Sequence, residues 1–548
     1  MNILEFSTFY LYLFMFGKGV FHISKNMFKT KFNFRKVFDL PIWFFYPIVS
    51  VFFIGNFTFL FNFFLSGNDT SRIIFFISVI LIIYGIKDFR KISFSINHLG
   101  FFIIPILVSI SSYGIWLHYD AGMYHLNHQY WINESKIVFG LSNLNIWYSW
   151  SSIYEYISSY FWINENFIYL HYLNISFIVI LLNFILINVI NPQSTFYRNS
   201  SIAIILFSFL DNFGIGGGNN TFINIQTIGK PDIAFGVIFF ISVVIFFNFL
   251  NTKKLSKEEF IIMTLLQTFL IQLKLFGVFF FPLYLIFLYN FSKRNKFNIN
   301  LVFRSLFFYI VLNIAWFIKN FITTGCFVFP FEFTCPSAST WYKDYSALGI
   351  AGWGRNIPRV YNFETSFPDW FLVWLELDHN KQVFGNFLFS LIIIFIASLF
   401  LFKKIRNKNS IYFFLYLFFI IIAWLLTGAN VRFGFGTWLL ITSFLVYSRD
   451  EYRFENNTRF SILIFFVLIS STSLIPRLYS YQKMFDSNFG YYSVNIPEYE
   501  YTNIDGTYGV YPKDTKDNLC WIKLDCLWDK SSRISLEKNN NYLFFKPN

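Results

Sequence analysis

The chain has 548 residues, of which 55% are hydrophobic and only 13% are charged. Soluble globular proteins carry about 25% charged residues, so an ordinary water-soluble enzyme and a disordered protein are both excluded. The net charge of +13 could indicate a nucleic-acid partner, but the basic residues are distributed as membrane insertion requires. The composition therefore indicates a polytopic membrane protein and no nucleic-acid partner.

Long, continuous apolar stretches predict membrane-spanning helices, because a bilayer core of about 30 Å needs roughly 20 apolar residues per helix. Strands of a membrane barrel would alternate instead. About fourteen spans are predicted, at residues 3–21, 42–65, 73–86, 99–117, 166–190, 201–210, 233–250, 260–275, 276–292, 301–321, 384–402, 411–427, 436–448 and 460–476. We expect an all-α helical bundle.

Lysine and arginine are concentrated in alternate loops, and basic loops stay on the cytoplasmic side. The basic loops are 25–36, 87–91, 198, 253–257, 293–296, 403–408 and 449–459, whereas the opposite short loops offer only Arg72, Lys230 and Arg432. The chain would then contain three membrane segments, 1–117, 166–321 and 384–476. The external segments would be 118–165, between the first two, 211–232, a loop within the second, and 322–383, between the last two. An external tail, 477–548, would follow. The first span has no cleavage pattern, so we expect it to be retained.

All four cysteines fall in segments predicted to be external. Cys326 and Cys335 are nine residues apart, and Cys520 and Cys526 are six apart. Close pairs in an oxidising compartment indicate disulfides. Reduced, buried cysteines and a metal site remain the alternatives, although the spacings are not those of a zinc site.

The first external loop places a carboxylate, Asp120, at the membrane–water boundary one turn beyond the fourth span. In a chain this poor in acids, such a group is a candidate site residue. Residues 123–134 predict a short helix lying in the interface. His118, His125 and His128 could join Asp120 in a metal site, or could simply form hydrogen bonds at the interface.

Two more carboxylates lie in the second external loop. Asp211 opens this loop, the glycine-rich segment 214–220 follows, and Lys230-Pro231-Asp232 closes it. Asp232 could equally cap the next helix. The glycines follow no strand, so they indicate a flexible turn and not a nucleotide-binding loop.

Arg432 lies in a short external loop, against the charge bias of the topology, so we expect it to have a partner. Arginine pairs bidentately with phosphate or carboxylate. The partner of Arg432 could therefore be a lipid phosphate, or the carboxylate of Asp120 or Asp211. The large loop mixes aromatic and polar residues that suit stacking on sugar rings, although tryptophan is also common at membrane interfaces. These residues are Glu332, Trp341, Lys343, Trp353, Arg355, Arg359, Trp370 and Trp374.

The chain resembles the GT-C superfamily of integral-membrane glycosyltransferases, and more narrowly a bacterial family encoded among surface-polysaccharide genes. Four segments carry the resemblance: residues 119–144 of the first loop, Lys230-Pro231-Asp232, residues 319–341 of the large loop, and Cys520-Trp521 with Leu524 and Cys526.

The resemblance implies a GT-C-like bundle that transfers a sugar from a polyprenyl-phosphate-linked donor to a glycan or lipid acceptor, among membrane lipids. The bacterial cytoplasmic (inner) membrane would hold the protein, with its large loops and C-terminus on the periplasmic side. An acidic residue of the first loop would be the base, and this role falls on Asp120. The first loop lacks an Asp-x-Asp pair, so a divalent metal ion remains an open question and no other cofactor is expected.

For this reaction we expect Arg432 and Lys230 to lie near the donor phosphate. Asp211 and Asp232 would orient the acceptor or a metal ion, and His125 would hold the base in place. A single base and direct displacement predict inversion at the sugar carbon.

Three alternatives remain. A flippase for lipid-linked glycans would show charges at mid-membrane depth and internal repeats. A polymerase of oligosaccharide repeats would need the same base and a wider cavity, whereas a scaffold protein would tolerate loss of every external carboxylate.

Overall fold

The computed structural model is predominantly helical, as the continuous apolar runs predict. It describes residues 2–28, 36–87, 96–109, 112, 116–117, 119–163, 167–190, 192–210, 227–228, 230–251, 256–294, 299–336, 339–341, 369–404, 408–428, 430–452, 498–504, 507–512, 520–524, 526–527 and 534–547.

Sixteen helices of eight or more residues lie within these ranges. In chain order they are α1 (Asn2–Phe28), α2 (Tyr46–Asn62), α3 (Gly67–Lys87), α4 (Ile96–Ser109), α5 (Leu126–Glu134), α6 (Ile153–Tyr160), α7 (Ile168–Ile190), α8 (Thr195–Leu210), α9 (Asp232–Phe249), α10 (Lys257–Leu273), α11 (Phe281–Arg294), α12 (Ile299–Thr324), α13 (Asp369–Glu376), α14 (Asp378–Leu401), α15 (Ser410–Gly428) and α16 (Phe435–Phe444).

Seven helical segments of the described chain are long and apolar enough to cross a membrane. They are Ile42–Asn62, Gly67–Ile86, Ile168–Ile190, Asp232–Phe249, Leu275–Lys293, Leu306–Thr324 and Ser410–Thr427. Two shorter apolar helices, Phe387–Leu401 and Phe435–Phe444, accompany them. The helical class is thus confirmed, whereas fourteen spans stay a prediction; the last of these, 460–476, lies outside the described residues.

The core of the bundle surrounds α9, in which every residue from Ile233 to Phe249 is buried. Helices α7, α8, α10 and α16 pack around it. Apolar side chains are exposed on peripheral helices instead, for example Phe76 on α3 and Phe307 on α12. Exposed apolar side chains of this kind are expected where lipid surrounds a helical bundle.

The strands are short and form two-stranded ladders within the described chain. They are β1 (Lys36–Val37), β2 (Leu40–Pro41), β3 (Trp116–Leu117), β4 (Thr227–Ile228), β5 (Phe402–Lys404), β6 (Arg449–Tyr452), β7 (Tyr499–Ile504), β8 (Thr507–Pro512), β9 (Ile534–Asn539) and β10 (Tyr542–Pro547). Four ladders are antiparallel, and β3 and β4 form the parallel one.

Loops gather at two opposite ends of the bundle. At the disulfide end, which comprises residues 119–163, both disulfides and strands β7 to β10, Gly140 N–H donates to the carbonyl of Ile322, and Ser152 Oγ donates to that of Leu273. At the basic end, which comprises the described residues 36–41, 192–199, 251, 256–259, 404, 408–410 and 449–452, Phe38 N–H donates to Glu259 Oε1. The chain therefore returns its loops to the same two ends.

The C-terminal strands dock on the first loop at the disulfide end. Phe139 N–H donates to the carbonyl of Leu543, and Phe545 N–H donates to that of Phe139, both at 2.9 Å. Trp131 packs edge-on against Phe545. Helix α5 matches the short helix predicted within 123–134, but polar residues such as Asn127 and Gln129 are buried along with its apolar ones. Asn127 contacts the tail, and Gln129 contacts α6.

Candidate functional site

The parallel ladder brings two distant segments of the chain together at the disulfide end. Trp116 pairs with Thr227 and Leu117 with Ile228. Asp120 and Lys230 follow the two strands closely, so this register places them next to each other. Lys230 Nζ and Asp120 Oδ2 are 3.6 Å apart, and the two side chains are 12% and 14% exposed. The pair is thus largely withdrawn from solvent but remains reachable.

Asp120 immediately precedes a π-helical turn, Ala121–His125. The turn closes where Leu126 N–H donates to the carbonyl of Ala121, five residues back, and it continues into α5. Single π turns inside helices occur often at functional sites, because the extra residue redirects the side chains around it. The first loop thus combines a reachable carboxylate with a locally widened helix.

A second ion pair lies two residues along the chain from Lys230. Lys274 Nζ and Asp232 Oδ1 are 2.7 Å apart, with the side chains 25% and 12% exposed. Lys274 interrupts the apolar run between α10 and the 3-10 helix Leu275–Phe280, and its ammonium lies 3.6 Å from the centre of the Phe433 ring. Asp232 begins α9, where the helix dipole also favours a carboxylate.

His125 and Glu155 form a buried pair behind this surface. His125 Nδ1 and Glu155 Oε1 are 2.5 Å apart, and the side chains are 5% and 4% exposed. Gln129 Nε2 donates to the other carboxylate oxygen at 2.7 Å, and Trp162 Nε1 donates to Gln129 Oε1. These bonds satisfy a carboxylate that burial would otherwise penalise, so they join α5 rigidly to α6.

The same region holds a buried lysine and a second buried histidine. Lys319 Nζ, near the end of α12, donates to Ser151 Oγ and lies 5.0 Å from the centre of the Trp316 ring. Burial lowers the pKa of His128 well below its usual 6.5, and electrostatic repulsion by Lys319 and His125 lowers it further. His128 is therefore neutral at pH 7.

Both predicted disulfides are present, Cys326–Cys335 and Cys520–Cys526, and together they use all four cysteines. The tryptophans expected to stack on sugars are placed differently. Trp370 and Trp374 are completely buried, because they pack in the helical core, and Trp341 Nε1 donates to the carbonyl of Phe321.

Several predicted site residues cannot be placed. Asp211, His118 and the glycines of 214–220 lie outside the described residues, as do Lys343, Trp353, Arg355 and Arg359. Arg432 lies in the 3-10 turn Val431–Gly434, next to Phe433, but its side chain also falls outside the described set. Glu332 begins another 3-10 turn. The described residues contain no group of three or more His, Cys, Asp or Glu side chains placed to hold a metal ion.

The structure thus assembles Asp120, Lys230 and Asp232 and adds Lys274, Glu155 and Lys319, which the sequence did not assign to the site. Lys274 could have been found, since it is a charge inside an apolar run. Glu155 had a weaker signal, as one of four acids in the first loop.

A family model described as a domain of unknown function (DUF8201) matches residues 1–439. No curated protein and no solved structure matches the chain.

Proposed function

The chain belongs to the family defined by the domain of unknown function DUF8201, and we propose that it is a GT-C-type membrane glycosyltransferase. It moves a sugar from a polyprenyl-phosphate-linked donor to a glycan or lipid acceptor, for surface-polysaccharide or lipopolysaccharide assembly. The observation that supports this most is the reachable Asp120–Lys230 pair, held beside a second Lys–Asp pair at one end of an apolar helical bundle.

We place the disulfide end on the outer face of the bacterial cytoplasmic membrane. Disulfides persist in oxidising compartments, and both lie at this end. Basic loops stay in the cytoplasm, and Lys36, Arg198, Lys257 and Lys408 lie at the other end. The site then stands at the height where a lipid carrier presents its phosphate and the attached sugar.

Asp120 acts as the general base. Its carboxylate takes the proton of the acceptor hydroxyl while the acceptor oxygen bonds to the anomeric carbon of the donor. The bond from that carbon to the phosphate oxygen breaks, and its electron pair leaves with the polyprenyl phosphate. One displacement by one base inverts the anomeric centre. A positioned base contributes about 10²- to 10⁴-fold in rate.

The two lysines meet the charge that develops on the leaving phosphate. Lys230 neutralises Asp120 in the free protein, so a phosphate that attracts Lys230 releases the carboxylate to act as a base. Lys274, held by Asp232 and Phe433, supplies a second fixed positive charge. In this proposal His125 supports the base, while the roles of Arg432 at the phosphate and of Asp211 at the acceptor stay predictions from the sequence.

The test is complementation of a deletion strain, with the surface glycan measured by mass spectrometry. Asp120→Asn should insert normally but lower glycan incorporation at least about a hundredfold, because the amide cannot accept the proton. Asp69→Asn is the matched control at the same end, since Asp69 is exposed and its carboxylate contacts its sequence neighbours Ser66 and Arg72. Full restoration of the glycan by Asp120→Asn would remove Asp120 from the role of base.

A further inference from the structure

The loop closed by the Cys520–Cys526 disulfide lies directly against the π turn that follows Asp120. Trp521 N–H donates to the carbonyl of Gly122 at 2.8 Å. Asn127 Nδ2, one turn further along α5, donates to the carbonyl of Lys523 at 2.7 Å. Both half-cystines are completely buried. The tail loop is therefore fixed to the first loop at two points, and both points lie inside the loop that the disulfide closes.

The indole of Trp521 turns one face toward Gly122. A Cβ atom added at Gly122 would lie 2.9 to 3.0 Å from three adjacent atoms of the indole, Cδ2, Cε2 and Cζ2. Nearly equal distances to three adjacent ring atoms mean that the approach is to the ring face and not to its edge. Only glycine at position 122 allows this approach, and Gly122 is two residues from Asp120.

The backbone of Trp521 is held in an unfavourable conformation. Its φ is 49°, in the left-handed region that bulky side chains rarely adopt. Such conformations persist only where surrounding bonds impose them, and they concentrate at binding and catalytic sites. The disulfide and the bond to Gly122 supply that constraint. The side chain packs partly against the helical core and is neither fully buried nor fully exposed, so a ligand can reach part of it.

We infer that Trp521 is a saccharide-binding residue, whose indole is the platform for a pyranose ring held beside Asp120. The C–H groups on one face of a pyranose form an apolar, slightly positive surface, which complements the negative face of an aromatic ring. The inference deepens the proposed function, on which it depends for the identity of the bound group as a sugar. The ring belongs to the donor or to the acceptor.

The experiment measures saccharide binding directly, by saturation-transfer difference NMR on the full-length chain in lipid nanodiscs. One arm uses methyl pyranosides, which mimic a free acceptor, and the other uses a short polyprenyl-phosphate-linked hexose, which mimics the donor. Trp521→Ala should weaken binding about tenfold in at least one arm, because one stacking contact is lost. The affected arm then identifies the source of the ring.

Two further variants keep the test specific. Trp521→Phe preserves a ring face and should bind within about threefold of the wild type. Trp150→Ala removes an exposed tryptophan at the same end of the bundle and should bind as the wild type does. Only variants whose melting temperature equals that of the wild type are compared. If Trp521→Ala unfolds, Gly122→Ala replaces it, since the added methyl group displaces the indole.

Unchanged binding of both probes by Trp521→Ala, or no binding of either probe by the wild type, overturns the inference. Failure of the proposed function is distinguishable, because Asp120→Asn should still bind the probes. If the probes bind through Trp521 and the deletion strain makes normal glycans, Trp521 binds saccharide in a protein that is not the transferase.

Discussion

Exposure separates the carboxylates of the site into two kinds. Asp120 and Asp232 are each paired with a lysine and remain 14% and 12% exposed, so an incoming phosphate or hydroxyl can replace the partner. Glu155 is 4% exposed and accepts from Gln129 as well as contacting His125. Replacing its partners would leave a charge buried, which is strongly unfavourable. We therefore expect Glu155 to position its neighbours, whereas Asp120 is the proposed base and Asp232 holds Lys274.

His128 should make the protein less stable in mild acid. The unfolded chain takes up a proton near pH 6.5, whereas burial and neighbouring positive charges hold the pKa of folded His128 well below that value. The unfolded state then binds more protons, so stability is lost as pH falls through 6.5, by up to about 1.4 kcal/mol per pH unit. His128→Gln should show a shallower dependence.

The measurement is the apparent melting temperature of the purified chain in nanodiscs at pH 7.5, 6.5, 5.5 and 5.0. His128→Asn serves as a second neutral replacement and should reduce the pH dependence as His128→Gln does. A wild-type pH profile in both variants would mean that His128 is protonated equally in the folded and unfolded states.

At the scale of elements, the helices follow from the sequence but the site does not. Continuous apolar runs are local signals, and each predicted span up to residue 448 overlaps a helix. The pairing of Asp120 with Lys230 depends on a two-residue parallel ladder between segments 110 residues apart in sequence number. No local periodicity encodes that register, so charge and spacing could nominate both residues without placing them together.

The sequence predicts an all-α bundle followed by an external tail and assigns no secondary structure to the tail, which the structure folds into hairpins. The hairpin of β9 and β10 is stabilised by contacts with the folded first loop, such as those of Phe139 with β10, which lies far away in sequence. The sequence suggested that Trp370 and Trp374 could stack on sugar rings, and their burial has a similar explanation. Tryptophan is common both at membrane interfaces and in protein cores. Here Trp374 packs against α14 and α15 and is therefore part of the core.

Gly140 should be essential for docking the tail on the first loop. Its φ is 64°, and an added Cβ would lie 2.2 Å from the carbonyl oxygen of Phe545. Gly140→Ala therefore combines backbone strain with a clash against the backbone of β10, and should cost about 1–3 kcal/mol. We expect limited proteolysis to release the tail faster from this variant than from the wild type.

Gly385→Ala is the matched control for this prediction. Gly385 lies within α14, and an added Cβ there meets nothing within 4 Å. Alanine should be neutral or stabilise the helix by about 0.5–1 kcal/mol. Equal rates of tail release from Gly140→Ala and Gly385→Ala would show that the left-handed turn does not hold the tail.

At the scale of the whole molecule, the two ends differ in the chemistry of their loops. The disulfide end holds both cystines and the paired aspartates, while the basic end joins short loops through side-chain bonds such as Asn248 Nδ2 to Asp39 Oδ2. Insertion physics and redox chemistry are independent constraints. They give the same orientation, which makes the sidedness of the proposed site directly testable.

Sidedness can be measured with introduced thiols, because both disulfides together occupy every native cysteine. Lys538, on β9 at the disulfide end, and Lys408, at the basic end, are both exposed lysines and form a matched pair. In intact cells with a permeable outer envelope, a membrane-impermeant maleimide should label Lys538→Cys. Lys408→Cys should react only after the cytoplasmic membrane is opened. The reverse pattern would place Asp120 in the cytoplasm, away from external glycan assembly, and would refute the orientation on which the proposed transfer depends.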